Sequence, residues 1–84
     1  MLAKIRGMDI QEDLQLDASG LACPLPLLKA KLALNSLQEQ QILKVIATDP
    51  GSERDFQVFV DQSRHNILAF NKDDAVYTYW IQKG

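Results

Sequence analysis

The chain changes from strand to helix within Ser19-Gly20-Leu21-Ala22-Cys23-Pro24-Leu25-Pro26, and this stretch decides the fold. Upstream of it, residues 13–17 alternate polar and apolar side chains, which is the period of a half-buried strand. Proline is favoured at the first helical position, where its missing N–H loses no hydrogen bond, so Pro24 predicts the start of a helix. Pro26 still lies in the first turn and stiffens it.

The first helix and the second strand follow from the spacing of apolar residues. The core-facing side chains of the helix recur at i, i+3, i+7 and i+10, namely Leu27, Ala30, Leu34 and Leu37. Residues 42–47 are then short, apolar and rich in β-branched side chains, which predicts a strand buried on both faces.

A second helix is indicated by the same kind of start signal. Asp49 is a suitable N-cap and Pro50 a suitable first helical residue. Asn66 is suited to close the helix in a left-handed conformation. The amphipathic face between these ends consists of Phe56, Phe59, Val60 and Ser63.

Two further strands, residues 67–70 and 76–81, are separated by a predicted turn at residues 71–74. The order is β-α-β-α-β-β, which favours parallel pairing through right-handed crossovers and a final antiparallel hairpin. We therefore expect an α/β (α+β) two-layer sandwich, with a four-stranded mixed sheet and two helices packed on one face. Residues 11–84 are expected to form this single domain. Residues 1–10 are expected to be a flexible tail, with Met8 an alternative start.

The composition restricts the classes of function. The 84 residues are 46% hydrophobic and 24% charged, as in an ordinary globular domain, and the formal net charge of −2 argues against direct nucleic-acid binding. No apolar run approaches the roughly 20 residues of a membrane span. One cysteine and one histidine form neither an internal disulfide nor a closed zinc site, so we expect no metal and a cytoplasmic location.

Cys23 is the candidate nucleophile. A thiol reacts as the thiolate, and the positive end of a helix dipole favours that anion at the start of the first helix. The flanking Pro24 and Pro26 would hold the thiol in a set direction. The alternative is that Cys23 is a small buried apolar residue, as many free cysteines are. The residues alone leave both interpretations open.

The segment Asp17-Ala18-Ser19-Gly20-Leu21-Ala22-Cys23-Pro24-Leu25-Pro26 resembles the signature of the TusA/SirA/YedF-like sulfur-carrier (sulfurtransferase) family, which has a Cys-Pro-x-Pro motif. The stretch at residues 47–55 and the ending at residues 77–84 are also similar to that family. The resemblance runs from about Leu14 to the C-terminus and implies the same β-α-β-α-β-β sandwich.

The resemblance also implies a function. Cys23 would be the catalytic residue that accepts a sulfane sulfur as a persulfide from a cysteine desulfurase or a rhodanese-like protein. It would relay that sulfur to an acceptor protein in tRNA thiolation, molybdenum-cofactor assembly or related sulfur metabolism. We expect a carrier rather than a stand-alone enzyme, without a cofactor beyond the transient persulfide, and a monomer. The alternative is a non-catalytic regulatory or interaction module on the same fold.

Other residues are candidates for supporting roles. Gly20 is expected to support the thiol turn together with the two prolines. Asp49 and Ser52 follow the second strand, so they would lie beside Cys23 if that strand neighbours the first, and would shape the thiol's surroundings or contact a partner. Arg54 and Asp55 are interpreted as a solvated first helical turn. His65 is placed at the far end of the second helix, which argues against a general base for Cys23.

A second apolar strip on the first helix gives a hypothesis about partners. Leu25, Leu28 and Leu32 lie at i, i+3 and i+7, beside Lys29, and are candidates for a partner surface next to the thiol. The alternative is that Leu28 and Leu32 pack against the sheet edge and leave only Leu25 exposed. Leu25 replaces the charged residue that is typical of the tRNA-thiolation branch, which leaves the pathway open.

Overall fold

The computed structural model describes residues 10–84, and within them the six elements follow the predicted order. They are β1 (Leu14–Ala18), α1 (Leu25–Asn35), β2 (Ile42–Ala47), α2 (Ser52–Asp61), β3 (Asn66–Asp73) and β4 (Val76–Gln82). The strands are arranged β1-β2-β4-β3, with β1 and β2 parallel and both other pairs antiparallel. This confirms the predicted fold class. Most of the expected N-terminal tail, including Met8, lies outside the described residues.

Both helices pack on one face of the sheet. The alternation along β2 turns Leu43, Val45 and Ala47 into the core, while the residues between them are only partly buried. The core cluster joins this face to both helices. Its buried members are Ala30 and Leu34 of α1, Leu43 and Val45 of β2, Phe56 and Val60 of α2, and Tyr77, Tyr79 and Ile81 of β4. The predicted core face of α1 is confirmed by Ala30 and Leu34.

The opposite face of the sheet is only partly covered. Ile42, Lys44 and Ile46 of β2 are partly exposed there. Trp80 of β4 is nevertheless buried, and the Lys44 ammonium group lies 5.4 Å from the centroid of its indole ring. The stem of a lysine covers apolar surface while its charge remains in water, so Lys44 shields this part of the sheet. None of the helices formed by residues 10–84 is long and apolar enough to cross a membrane.

Tyr79 is the polar centre of an otherwise apolar core. Its ring stacks on Phe56 with the centroids 4.5 Å apart, and its hydroxyl is 2.8 Å from the Ser52 Oγ. Burial raises the pKa of the Tyr79 hydroxyl to about 12. Because a buried hydroxyl without a hydrogen-bond partner is costly, Ser52 and Tyr79 depend on each other.

The helix starts differ from the prediction by one or two residues. Pro24 is the N-cap of α1 rather than its first helical residue, because the helix begins at Leu25. In α2 the N-cap is Gly51, so the prediction of Asp49 as N-cap was wrong. The Asp49 carboxylate accepts the Gly51 N–H at 3.0 Å and its carbonyl accepts the Ser52 N–H at 3.0 Å, which forms a turn before the helix.

The end of α2 and the last turn were also predicted incorrectly. The helix ends at Asp61 with Gln62 as its C-cap, and Asn66 is already the first residue of β3, where it pairs with Gln82. The predicted turn at residues 71–74 is mostly strand, because β3 continues in register with β4 as far as Asp73. Backbone pairing with β4 thus makes β3 longer than the strand at residues 67–70 that the sequence pattern predicts.

The hydroxyl pair gives a prediction about stability. Ser52→Ala should lower the free energy of unfolding by about 1–3 kcal/mol, because it leaves the buried Tyr79 hydroxyl without its partner. Urea denaturation measures this loss. Ser52→Ala combined with Tyr79→Phe should lose less than the sum of the two single variants, and additive losses would contradict the coupling.

Candidate functional site

The parallel pairing of β1 with β2 brings two loops together. Ala18 and Ala47 are partners at the carboxyl ends of the strands, so the loop after each strand leaves the same edge of the sheet. A hydrogen bond of 2.8 Å from the Gly20 N–H to the Thr48 Oγ1 joins the loops. This confirms that the loop after the second strand lies beside the loop that carries Cys23.

Gly20 supports the thiol loop through its backbone conformation. Its φ angle is +82°, in the left-handed region that residues with a β-carbon rarely adopt. A β-carbon built at Gly20 would meet no atom within 4 Å, so the requirement for glycine is conformational and not steric. The turn also contains a hydrogen bond of 3.2 Å from the Leu21 N–H to the Ala18 carbonyl.

Cys23 is exposed and directly precedes the N-cap of α1. The peptide bond between Cys23 and Pro24 is cis. The chain on both sides of the thiol is held by hydrogen bonds from the Leu25 N–H to the Ala22 carbonyl at 2.9 Å and from the Leu28 N–H to the Pro24 carbonyl at 3.0 Å. Pro26 is fully buried and anchors the first turn. The alternative of a buried apolar cysteine is therefore wrong.

The thiol contacts a carboxylate from the other helix. The Cys23 Sγ–H donates a hydrogen bond to the Asp55 Oδ2. This hydrogen bond, assisted by the negative charges of Asp55 and Asp49, raises the pKa of the Cys23 thiol above its ordinary value. The two carboxylates thus oppose the stabilisation of the thiolate that the helix N-terminus is expected to give.

The second loop passes close to the Cys23 sulfur at Gly51. Gly51 has no side chain, and a β-carbon built there would lie 3.9 Å from the Cys23 Sγ and 3.0 Å from the Asp49 Oδ2. Asp49 therefore lies near the thiol, where its charge acts on it. Ser52 faces the core and is only 1% exposed, so it supports α2 through Tyr79 and is not available as a partner contact.

Asp55 and Gly51 are the site residues that the sequence analysis missed. Asp55 was interpreted as part of a solvated first turn, yet it is partly buried and bonded to the thiol. One signal was present in the sequence, because Asp55 lies four residues before Phe59 and therefore on the side of α2 that packs towards the core. Gly51 carried no such signal, since its role depends on the loop beside it.

His65 lies at the other end of α2, as expected. Cys23 contacts the first turn of this ten-residue helix, which is about 15 Å long, whereas His65 follows its last turn. The His65 Nδ1 accepts the Gly84 N–H at 3.0 Å, and its ring packs on Phe59. Burial lowers the pKa of His65. His65 therefore belongs to a separate contact between α2 and the C-terminus.

The leucine strip of α1 is exposed over its whole length. Leu25, Leu28 and Leu32 are 44%, 46% and 71% exposed. The alternative in which Leu28 and Leu32 pack on the sheet edge is therefore wrong. Lys29 is exposed beside the strip, whereas Lys31 turns towards α2 and lies 5.3 Å from the centroid of the Phe59 ring. Across residues 10–84, no three acidic, histidine or cysteine side chains are grouped to hold a metal ion.

The fold is a two-layer sandwich that presents one exposed thiol, Cys23, between two loops. Comparison with known proteins gives the family. The profile of the family described as Sulfurtransferase TusA matches residues 14–83, and the chain belongs to this family.

Individual relatives agree with the family assignment. Sulfur carrier protein TusA of Allochromatium vinosum is 45% identical over 71 residues, which cover 84% of this chain and 93% of that protein. Sulfur carrier protein TusA of Pseudomonas putida is 39% identical over 75 residues, covering 89% and 94%. The crystal structure of a SirA-like protein from Desulfitobacterium hafniense superimposes with a TM-score of 0.73 at 27% identity, covering 84% of this chain and 97% of that chain. These similarities support a sulfur-carrier role.

The raised thiol pKa predicts how reactivity depends on pH. The native thiol stays protonated to a higher pH than an ordinary cysteine. The rate of its alkylation by iodoacetamide should therefore reach half of its maximum at a higher pH than the rate for the urea-unfolded chain. Quenching the reaction at fixed times and measuring the intact mass gives the alkylation rate against pH for the native and the unfolded protein. A native profile at lower pH would show that the helix dipole, and not Asp55, controls the thiol.

Proposed function

We propose that this protein is a sulfur carrier that accepts a sulfane sulfur on Cys23 as a persulfide and relays it to an acceptor protein. The observation that carries the proposal is the exposure of Cys23 at the start of α1, in a chain of the TusA family. The similarity of the chain to proteins named sulfur carriers supports the same role.

The geometry suits transfer between proteins. The thiol is at the surface, so a persulfide of a donor protein reaches it without entering a cavity. Gly51 has no side chain that would contact the Sγ, since a β-carbon built there would lie 3.9 Å from it. The chain has a single cysteine, so a persulfide on Cys23 has no internal thiol that would release it as a disulfide. Release of the sulfur therefore requires a thiol from outside the chain.

Partners and location follow from this chemistry as parts of the proposal. The donor is a cysteine desulfurase or a rhodanese-like protein, and the acceptor is another protein in tRNA thiolation, molybdenum-cofactor assembly or a related sulfur pathway. No cofactor is required, because the sulfur is held covalently. A reducing cytoplasm suits a lone exposed thiol. A carrier that presents one small face to two partners in turn is expected to act as a monomer.

A non-catalytic regulatory or interaction module is the second candidate function. The observation in its favour is the hydrogen bond from Cys23 to Asp55, which holds the thiol in its neutral and less nucleophilic form. The two candidates differ in whether Cys23 takes up sulfur at all.

Sulfur uptake on Cys23 is the decisive test. After incubation with a cysteine desulfurase and cysteine, or with a rhodanese and thiosulfate, intact-mass measurement should show one added sulfur atom that a reductant removes. The matched control is Cys23→Ser, which has no thiol and should gain nothing. Absence of the added sulfur with both donors would favour the interaction module.

The leucine strip extends the proposal to a docking surface. Leu25 is two residues from Cys23 and begins the row of exposed side chains that continues with Leu28, Lys29 and Leu32. Because the row begins two residues from Cys23, a protein that reaches the thiol from the side of α1 covers it. We therefore propose that the sulfur-exchanging partner covers the row with an apolar patch of its own.

Leu25→Glu should weaken protein-to-protein sulfur transfer about tenfold, the loss expected for one interface anchor of about 1.4 kcal/mol. The melting temperature should not fall, because an acidic residue is favourable in the first turn of a helix. Rates of sulfur transfer from the desulfurase measure the effect. Leu68→Glu is the matched control, since Leu68 is 43% exposed but lies on β3 at the opposite edge of the sheet from β1. Equal rates for both variants and the native protein would refute the docking surface.

A further inference from the structure

Asp55 is the side chain that the proposed function leaves unexplained. A carrier thiol would gain reactivity from a cation, yet its hydrogen-bond partner here is a carboxylate from a helix 32 residues away in the sequence. The Asp55 N–H donates to the Gly51 carbonyl at 3.1 Å, so this side chain projects from the first turn of α2, directly beside the loop that borders the thiol. The contact thus joins the loop that carries Cys23 to the first turn of α2 and to the Gly51 loop that precedes it.

The empty and the loaded carrier differ in what they present to Asp55. In the empty carrier the Sγ has a hydrogen atom, which the Asp55 Oδ2 accepts. In the loaded carrier the Sγ is bonded to a second sulfur and has no hydrogen to donate. The outer sulfur of a persulfide is more acidic than a thiol, so near neutral pH it is an anion that a nearby carboxylate repels.

We propose that Asp55 is a positioning residue that distinguishes the two states: it binds the Cys23 thiol and repels the Cys23 persulfide, and so favours delivery of the sulfur over its retention. This inference rests on the proposed persulfide function. A group that interacts differently with two states shifts the equilibrium between them by the difference, and Asp55 stabilises the empty carrier and destabilises the loaded one. The repelled outer sulfur turns away from α2 towards solvent and an approaching acceptor.

The other charged groups around the site do not cancel this effect. The charged side chains on α1, on the second loop and in the first turn of α2 are Lys29, Lys31, Asp49, Glu53, Arg54 and Asp55. The two whose charges act on the thiol are Asp55 and Asp49, both carboxylates. Lys31 is engaged with the Phe59 ring. The sulfur therefore faces negative charge from both the loop and the helix.

The transfer itself balances without an oxidant or a reductant. Cys23 first loses its proton to water, which breaks the hydrogen bond to Asp55. The thiolate then attacks the outer sulfur of a donor persulfide R–S–SH, so that the Sγ–S bond forms, the donor S–S bond breaks and the donor leaves as R–S⁻. For delivery, the outer sulfur of the Cys23 persulfide first takes a proton from water. An acceptor thiolate then attacks this sulfur, the Sγ–S bond breaks, the acceptor becomes the persulfide and Cys23 leaves as a thiolate. The released Cys23 thiolate takes a proton from water and bonds to Asp55 again.

The first test compares thiol titration in three variants. Asp55→Asn keeps the shape and removes the charge, so its half-maximal alkylation should shift to lower pH, with alkylation at pH 7 several times faster, since each pKa unit changes the thiolate fraction about tenfold. Asp55→Glu retains the carboxylate and should stay near the native profile. Glu53→Gln removes one charge from the same helical turn without touching the thiol and should leave the profile unchanged.

The second test measures retention of sulfur at equilibrium. Each variant is incubated with mixtures of glutathione persulfide and glutathione of fixed ratio, and the fraction with one added sulfur is read from the intact mass. Asp55→Asn should hold a severalfold larger persulfide fraction relative to thiol than the native protein and Glu53→Gln. Melting temperatures confirm that the variants are folded.

Each outcome decides a separate point. An unshifted titration in Asp55→Asn, or an equal shift in Glu53→Gln, overturns the role of the Asp55 contact. A shifted titration with equal persulfide fractions overturns the discrimination between the two states. If the native protein and every variant fail to take up sulfur, both from glutathione persulfide and from a desulfurase, the proposed function itself fails and the discrimination fails with it, while the thiol titration still reports on the Asp55 contact.

Discussion

Parallel pairing of β1 with β2, in the register that sets Ala18 beside Ala47, determines where every part of the site lies. The pairing places two loops at one edge of the sheet, and the hydrogen bond between Gly20 and Thr48 joins them. A slip of one residue would turn the core face of β2 towards solvent, because side chains alternate across a strand. Burial of the apolar face of β2 against the helices therefore fixes the register of β1 and β2. The same register places the thiol beside the second loop and α2.

The surroundings of Cys23 combine exposure with restraint. An exposed thiolate reacts with any oxidant or electrophile, whereas a protonated thiol reacts slowly. Asp55 keeps the thiol protonated without burying it, so access for a partner is retained. A carrier needs this combination, because its sulfur must be open to protein partners and resistant to small molecules between encounters. The negative charge beside the thiol provides the resistance to small molecules. The exposure of the thiol leaves it open to a docked partner.

Two surfaces of different character meet at the thiol. The exposed leucines of α1 form an apolar row on one side, and the carboxylates of Asp49 and Asp55 form an acidic border on the other. Apolar contact supplies affinity, whereas charge governs approach and the choice of partner. A partner that covers the row and brings a cation to the border would both dock and weaken the hold of Asp55 on the thiol. Specificity and activation would then arise from the same encounter.

The sequence by itself determined the element order and the core face of α1, and it made Cys23 the candidate nucleophile, because helical and strand periods and a proline at a helix start are local properties. It placed Asn66 in the wrong element, since only the ladder to β4 makes that residue a strand. Tertiary structure alone decided that Ser52 serves the core and that Asp55 serves the thiol, because each partner lies about thirty residues away. The helical period places Asp55 on the side of α2 that packs towards the core, but it contains no record of the residue that Asp55 contacts. The thiol was therefore visible in the sequence, whereas the carboxylate that raises its pKa reaches it only through the packing of α2.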